Sequence, residues 1–408
     1  MPGHSAFAFL VAVLLGSLPA HAQPVADSLQ LQIVAVKRML EKRPADPTVH
    51  FYLASFQAQA KQRDNALASL ARVLALGDGF LPGSHFGFDS LKADPDFLAL
   101  RAAFERKLPV HGAAPVAFSI ADQSFGPEGI AYDPLSKQFF VGSVTHKRVV
   151  RISPAGKMTP LSGGADGLHS VLGVAVDARR RIVYAVSTNA LSKGKPLVNA
   201  VVAFDIASGK RLHVIPVPEA EQLNDVAIAP SGELYVTDSG SGAVWRIGAV
   251  KPYAVAPFVA PGAVGGSNGV AVSADGKTVY VAHSTGVVRV DAASGKLERL
   301  VPPARQTIAA IDGLYLWQGD LLGIQNITNP GRVIRMRLNS AGTEILRVDT
   351  LQSHHNPAFS EPTTGAIAGA ALYVLGTTQL PQFNDKGEIE KAGKLKNPLV
   401  VRVPLPRN

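Results

Sequence analysis

The segment Asn268-Gly269-Val270-Ala271-Val272-Ser273 recurs along the chain, because four other segments begin in nearly the same way. They read Glu128-Gly129-Ile130-Ala131-Tyr132-Asp133, Leu172-Gly173-Val174-Ala175-Val176-Asp177, Asn224-Asp225-Val226-Ala227-Ile228-Ala229 and Asp312-Gly313-Leu314-Tyr315-Leu316. Their leading residues lie 44, 52, 44 and 44 residues apart, and a weaker sixth copy, Thr364-Gly365-Ala366, follows after another 52. A period in the forties with several short strands per repeat is typical of a β-propeller.

Each repeat consists of short strands with alternating apolar residues, joined by tight turns. In the third copy the first strand is followed by Pro230-Ser231-Gly232, and in the fourth copy by Ala274-Asp275-Gly276. Glycine at the third position permits the positive φ that such turns require. Six repeats within residues 116–408 predict a mainly β fold, a six-bladed β-propeller. Residues 116–120 have no partner of their own, so we expect them to pair with the final strand, 399–403, and to close the ring.

A helical pattern occupies residues 23–107, ahead of the repeats. Asp46-Pro47 and Asp94-Pro95 each combine an N-cap residue with proline at the first helical position. Ala54, Ala66 and Leu70 fall where a tetratricopeptide repeat requires close helix contact, so the segment resembles such a repeat. Because a few helices bury little apolar surface alone, we expect them to dock on the propeller or on a protein partner. Residues 108–115, rich in Pro, Gly and Ala, are predicted to be a linker.

Residues 1–22 have the pattern of a signal peptide. The apolar run from Ala6 to Leu18 is too short to span a bilayer, and Ala20-His21-Ala22 is a small-x-small cleavage pattern. We expect cleavage after Ala22 and a periplasmic or secreted protein. No Lys or Arg occurs among residues 1–5, which leaves an uncleaved membrane anchor as the alternative. No other stretch approaches the roughly 18 apolar residues of a membrane span, so no span is expected after cleavage.

The composition excludes some classes of function. The chain has 408 residues and no cysteine, so disulfides, thiolate metal sites and cysteine nucleophiles are impossible. Its net charge of +9 fits a basic solvated surface or a preference for anionic partners. Basic residues are not interleaved with aromatic ones, so we expect no nucleic-acid binding.

Four of the leading residues could together hold a metal ion. Glu128, Asn224, Asn268 and Asp312 each lead an innermost strand, and in a propeller this position lines the mouth of the central channel. Two carboxylates and two amide oxygens are hard donors that suit Ca²⁺, although another divalent cation is possible. The alternative is that these polar side chains only bind water in the channel.

This set of four polar residues, each at the start of a repeat, resembles the senescence marker protein/gluconolactonase/luciferin-regenerating enzyme family of six-bladed propellers. The similarity rests on Glu-Gly at 128–129, Asn-Asp at 224–225, Asn-Gly at 268–269 and Asp-Gly at 312–313, in that order. It implies a central divalent cation and hydrolysis of a lactone or an organophosphate-like ester. It further implies that Asp312 is the base or nucleophile and Glu128 a metal ligand. Gln222 stands where gluconolactonase-like enzymes carry an arginine, which leaves sugar specificity open.

His169 is a second catalytic candidate. It precedes the second repeat, at the place where the similar paraoxonases carry a histidine suspected as general base. A histidine at the rim of the channel that binds only a backbone carbonyl is the alternative.

Two functions follow from these features. The first is an exported, Ca²⁺-dependent hydrolase that acts on a small-molecule lactone or ester. The second is a non-catalytic propeller that binds a ligand or a protein, with the helical segment as its docking module. The fold alone does not decide between them, because propellers host many functions.

Overall fold

The computed structural model describes residues 25–83, 86–161, 167–191, 196–326, 331–384, 387–390 and 395–406. The predicted signal peptide, residues 1–22, lies outside the described residues. Among the described helices, none is both long and apolar enough to cross a membrane.

Twenty-four described strands form six four-stranded antiparallel sheets, which are the blades of a six-bladed β-propeller. The predicted fold class is therefore confirmed. Blades 1 to 3 contain β2 (Pro127–Asp133), β3 (Gln138–Ser143), β4 (Arg148–Ile152) and β5 (Met158–Pro160); β6 (Ser170–Asp177), β7 (Ile182–Thr188), β8 (Asn199–Asp205) and β9 (Arg211–Pro216); and β10 (Leu223–Ile228), β11 (Leu234–Asp238), β12 (Ala243–Ile247) and β13 (Val255–Val259). Blades 4 to 6 contain β14 (Val270–Val272), β15 (Thr278–His283), β16 (Gly286–Asp291) and β17 (Leu297–Leu300); β18 (Ile311–Trp317), β19 (Asp320–Gln325), β20 (Arg332–Leu338) and β21 (Ile345–Ser353); and β22 (Gly365–Ala368), β23 (Ala371–Leu375), β24 (Leu399–Pro404) and β1 (Val116–Ser119).

The two ends of the propeller close the ring in blade 6. Strand β1, which comes first in the chain, pairs antiparallel with β24, the last, so that Phe118 faces Val400 and Ser119 faces Leu399. The predicted pairing of residues 116–120 with the final strand is confirmed. Because the first and last strands share one sheet, neither terminus leaves an open blade.

Four described α-helices precede the propeller: α1 (Val25–Lys42), α2 (Pro47–Gln59), α3 (Arg63–Leu76) and α4 (Pro95–Glu105). The predicted N-caps are confirmed for α2 and α4. The carboxylate of Asp46 accepts hydrogen bonds from the backbone of Thr48 and Val49, and Asp94 caps α4 in the same way. Helix α3 begins at Arg63, without a side-chain cap.

The apolar core is divided among the blades and the helices. Six buried clusters fill the six spaces between neighbouring blades, so each blade packs against the next. The helices form two clusters of their own, in which Ala54, Ala66 and Leu70 are fully buried. None of the clusters among the described residues combines side chains of the helices with side chains of the propeller.

The helices contact the propeller on the face where the innermost strands begin. In each antiparallel blade, the loop between the second and third strands and the loop that leads to the next blade lie on that face. Tyr52 Oη donates a hydrogen bond to Ser284 O (2.8 Å) in the β15–β16 loop. Thr48 Oγ1 lies 3.2 Å from Thr307 Oγ1 in the β17–β18 loop. The helical segment therefore docks on the propeller, beside the channel mouth.

The innermost strands of four blades carry a β-bulge at the same place. In blade 1 the pairing passes from Pro127–Ser143 to Ile130–Val141, so that two residues, one of them Glu128, face a single residue of β3. Equivalent shifts occur at 171–174, 223–226 and 311–314. A bulge redirects the side chain of the bulged residue. The recurring leading residues of blades 1, 2, 3 and 5 are therefore the bulged positions.

Blade 4 reaches a similar arrangement by backbone hydrogen bonds. Asn268 N donates to Ala282 O (2.9 Å), and Ala282 N donates to Gly269 O (2.8 Å), so two residues again bond to one. The leading residue of blade 4 thus lies two residues before β14.

Glycine after the leading residue lets the backbones of neighbouring innermost strands approach closely. A Cβ atom on this glycine would collide with the next blade. Gly129 faces the carbonyl oxygen of Leu172, Gly173 that of Asn224, and Gly269 that of Asp312.

The other three junctions are made by hydrogen bonds, which complete the ring. Between blades 3 and 4, Val270 N donates to Asp225 Oδ2 (3.3 Å). Between blades 5 and 6, Gly313 N donates to Thr363 O (3.1 Å). Between blades 6 and 1, Thr363 Oγ1 donates to Glu128 O (3.2 Å). The leading positions of all six blades therefore form one closed ring of contacts.

The ring predicts that Gly129→Ala destabilises the propeller, because the new methyl group would overlap Leu172 O. We expect a loss of about 1–3 kcal/mol, measured from the urea midpoint. Gly248→Ala is the matched control, since its Cβ would meet nothing closer than 3.5 Å. This control should change stability by less than about 0.5 kcal/mol. Equal stability of the two variants would contradict the tight ring.

Candidate metal centre

The structure places the four predicted ligands on the ring, at one end of the channel. Glu128, Asn224 and Asp312 are the second residues of β2, β10 and β18. Asn268 is followed by Gly269 and lies two residues before the start of β14. Glu128, Asn224 and Asp312 are buried, and Asn268 is half-buried. These residues lie near one another because the bulges and the glycines bring the leading positions of neighbouring blades together.

The amide groups of the two asparagines are oriented by hydrogen bonds. Asn224 Nδ2 donates to Ser239 Oγ (2.8 Å), which in turn donates to Ser267 O (2.6 Å). The side chain of Asn268 bonds to the carboxylate of Asp312, and its Oδ1 atom has no partner. Because the amide nitrogens are engaged, the oxygens are free to accept from a ligand or to bind a cation.

The two predicted carboxylate ligands are buried without a compensating positive charge. Burial raises the pKa of Asp312 to about 6, although hydrogen bonds from Asn326 and Asn268 lower it. Burial, and then the charges of Asp312 and Asp225, hold the pKa of Glu128 well above its usual range. Within the part of the chain that the structure describes, no Lys, Arg or His forms an ion pair with these carboxylates.

Asp225 is a third carboxylate of this site, half-buried and not among the predicted ligands. It replaces the glycine that follows the leading residue in the other full copies, and this exchange was the available signal. Its oxygens accept hydrogen bonds from Val226 N (2.8 Å) and Val270 N (3.3 Å). Burial raises the pKa of Asp225 to about 7 despite these bonds. Asp225 therefore ties blade 3 to blade 4 and adds negative charge to the site.

Two further polar residues complete the surroundings of Asp312. Asn326 Nδ2 donates to Asp312 Oδ2 (2.5 Å) and to Pro362 O (3.0 Å). Tyr315 Oη accepts a hydrogen bond from Gly365 N (2.6 Å). Burial raises the pKa of Tyr315, and the charges of Asp225, Asp312 and Glu128 contribute to this shift. Tyr315 thus lies within electrostatic reach of all three carboxylates.

The donor set fits a hard divalent cation. Glu128 Oε2, Asn268 Oδ1 and Gln222 Oε1 are buried atoms that have no hydrogen-bond partner among the residues the structure describes. Buried polar atoms without partners are costly, and carboxylate and amide oxygens are preferred ligands of Ca²⁺. Oxygens of Glu128, Asp225 and Asp312 do not all lie within 4.8 Å of one another. A shared cation would therefore need the amide oxygens as well as the carboxylates.

His169 lies at the same end of blade 2, immediately before β6. Its backbone N–H donates to Ser187 Oγ (2.9 Å), and the residue is half-buried. The hydrogen bonds of Asp312 described above come from Asn268 and Asn326, not from His169. A catalytic part for His169 stays a prediction.

Comparison with known families agrees with this architecture. Residues 126–362 match the SMP-30/Gluconolactonase/LRE-like region. The match covers more than half of the chain and includes all four predicted ligands. The chain therefore belongs to this family, and the resemblance inferred from the repeats is confirmed.

Solved structures show the same kind of fold at low sequence identity. A gluconolactonase from Xanthomonas campestris is 17% identical, with a TM-score of 0.47 over 71% of this chain and 89% of that one. A luciferin-regenerating enzyme is 17% identical, with a TM-score of 0.45 over 71% and 92%. The PQQ-bound aldose sugar dehydrogenase from Streptomyces coelicolor is 15% identical, with a TM-score of 0.49 over 72% and 99%. Among curated proteins, none matches the chain.

The raised pKa values predict how the metal-free protein responds to pH. From about pH 4 to about pH 7, the folded state keeps protons on Asp225 and Asp312 that the unfolded chain has lost. The free energy of unfolding therefore falls as pH rises through this window. We expect chelator-treated protein to melt on the order of 5 °C lower at about pH 8 than at about pH 5.

Ca²⁺ provides the control for this pH effect. A bound cation compensates the ionised carboxylates, so Ca²⁺ should raise the melting temperature more at the higher pH than at the lower one. The same increment at both pH values, or none, would contradict a cation site formed by these carboxylates.

Proposed function

We propose that the protein is an exported, divalent-cation-dependent hydrolase of lactones or esters, with Ca²⁺ as the preferred ion. The ion would be held at the channel mouth by Glu128, Asn224, Asn268 and Asp312. Membership in the gluconolactonase-like family supports the class of reaction. The leader pattern of residues 1–22 supports export.

One observation carries the proposal: Glu128 Oε2 and Asn268 Oδ1 are buried acceptors to which no described residue donates, beside the Asp312 carboxylate, which pairs with no cation among those residues. A water column could satisfy the acceptors, but water does not balance the charge of three neighbouring carboxylates. Burying unpaired charge costs several kcal/mol per ion, in round figures. A cation at this place would remove the cost and satisfy both acceptors.

Asp312 and Glu128 would have different roles in the reaction. Bound at these ligands, the cation would polarise the carbonyl or phosphoryl oxygen of the substrate. Asp312 is held by amide donors on both sides, Asn326 and Asn268, which orient its carboxylate and favour the ionised form. An ionised, oriented carboxylate can act as base or nucleophile near neutral pH. No described residue donates such a hydrogen bond to the Glu128 carboxylate, which would serve as a ligand.

Access to the site is limited by the helical segment. Tyr52 and Thr48 of α2 touch the loops on the mouth face of blades 4 and 5, so the helices form a wall on that side. Gln222, on the side of blade 3, offers a buried amide oxygen that can accept a hydrogen bond from a substrate hydroxyl. We therefore expect a small polar lactone or ester.

Metal removal tests the proposed class of reaction. After metal removal with a chelator, the turnover of the purified chain on a panel of lactones and aryl esters should fall by about 100-fold or more. Adding Ca²⁺ should restore the turnover, and other divalent cations should restore less. If no substrate of the panel is turned over with any divalent cation, the hydrolase proposal is wrong. Ca²⁺ binding without turnover would then favour the non-catalytic binding propeller.

Replacement of Asp312 tests the assigned role of this carboxylate. Asp312→Asn keeps the size of the side chain but removes the base or nucleophile, so kcat should fall by about 10²–10⁴-fold while the fold remains. Glu344→Gln, at an exposed position of the same blade, is the control and should keep full activity. Circular dichroism of both variants checks folding. Comparable activity of Asp312→Asn and the wild type would remove Asp312 from the mechanism.

A further inference from the structure

A second group of metal-binding side chains lies at the seam between the helices and the propeller. It consists of Glu105, the last residue of α4, and His354 and His355, which follow β21. One ligand atom from each side chain lies within 4.8 Å of the other two. No other group of three His, Asp or Glu side chains among the described residues meets this distance.

The geometry of the group is compatible with one shared ion. His354 Nε2 lies 3.1 Å from Glu105 Oε1, and His355 Nε2 lies 3.9 Å from the same oxygen. Metal–ligand bonds of about 2.05 Å at tetrahedral angles separate neighbouring ligand atoms by about 3.3 Å. The observed distances lie on either side of this value. The side chains therefore need to move by less than an ångström, roughly, to bind one ion.

The backbone brings the two histidines to the same side. Consecutive side chains of an extended strand point to opposite faces. Strand β21 ends at Ser353, and the chain turns at His354 and His355, so that the ring centroids lie only 4.1 Å apart. Both Nε2 atoms consequently approach the one carboxylate. A single Glu–His hydrogen bond would not need the second imidazole.

The hydrogen-bond partner of the His355 ring, Ser353, supports metal binding. Ser353 Oγ lies 2.9 Å from His355 Nδ1 and is itself bonded by the backbone N–H of His111 (3.1 Å). A histidine that binds a metal through Nε2 carries its proton on Nδ1 and commonly donates it to a neighbouring oxygen. Ser353 is at the right distance to accept this proton and to hold the ring.

We propose that Glu105, His354 and His355 bind a transition-metal ion of the Zn²⁺ class and thereby fasten the helical segment to the propeller. Two imidazoles and one carboxylate select borderline metals over Ca²⁺, which prefers oxygen ligands. The three side chains are partly exposed, so an ion can enter and water can fill the remaining position. The ion joins α4 directly to the loop between blades 5 and 6.

Calorimetric titration with Zn²⁺ tests the site, using the full-length, tag-free chain with saturating Ca²⁺ present so that oxygen-only sites are filled. The wild type should bind one Zn²⁺ more than the triple variant Glu105→Gln/His354→Ala/His355→Ala. Each single substitution should weaken binding by at least about tenfold. His213→Ala, on β9 against Tyr253, is the control and should bind like the wild type. Equal binding by the wild type and the triple variant would overturn the proposal.

Cobalt provides a readout that does not depend on the stability of the variants. Co²⁺ bound to the wild type should give the visible absorption of a four-coordinate nitrogen and oxygen site, and Zn²⁺ should displace it. A spectrum of fully hydrated Co²⁺ would overturn the site.

Trypsin tests whether the ion fastens the two parts. Arg106 and Lys107 are exposed and directly follow Glu105. Zn²⁺ should slow cleavage after these residues several-fold in the wild type and leave His354→Ala unchanged. Zn²⁺ binding with no change in the cleavage rate of the wild type would overturn the fastening role.

Discussion

The architecture depends on how closely the six innermost strands approach one another around the channel. At three junctions a glycine lies directly against a carbonyl oxygen of the next blade, with no room for a methyl group. In blades 1, 2 and 5, a bulge places the residue before the glycine at the ring and turns its side chain out of the ordinary strand alternation. The same backbone feature therefore closes the propeller and positions Glu128 and Asp312. Fold and candidate site cannot be varied independently at these positions.

This constraint has an electrostatic consequence. Three carboxylates, those of Glu128, Asp225 and Asp312, lie at the ring. Glu128 and Asp312 are buried and Asp225 is half-buried. The charges of Asp312 and Asp225 raise the pKa of Glu128, and the charge of Asp312 raises the pKa of Asp225. Asp225 cannot be exchanged freely for the glycine of the other blades, because it accepts the backbone N–H of Val270 in blade 4. The site is thus strained by its charge, and either protons or a cation must relieve it. Near neutral pH, the proposed divalent cation would relieve this charge and leave Asp312 ionised as a base.

Much of the fold could be predicted from the sequence, because its signals are periodic or local. The spacing of the repeats predicts the blades, and Asp46-Pro47 and Asp94-Pro95 predict two helix starts from capping chemistry alone. The four ring positions were also predictable, since they lead the repeats. The bulges were not, because they depend on pairing with the second strand. Asp225 appeared only as an exception to the X-Gly pattern. Glu105 and His354 lie 249 residues apart, and no periodicity connects them.

The seam between helices and propeller raises a physical problem that a metal ion would solve. The contacts across it are polar: Tyr52 and Thr48 bond to loops, and Arg305 pairs with Asp78 where both side chains are partly exposed. Exposed ion pairs contribute only about 0–1 kcal/mol, and polar interfaces of this kind permit relative motion of the parts. Binding of a metal ion by three side chains needs little buried area. Glu105 lies beside His354 and His355 at the outer edge of blade 5, away from the ring. The proposed ion would then fix the helices on the face of the propeller where the innermost strands begin.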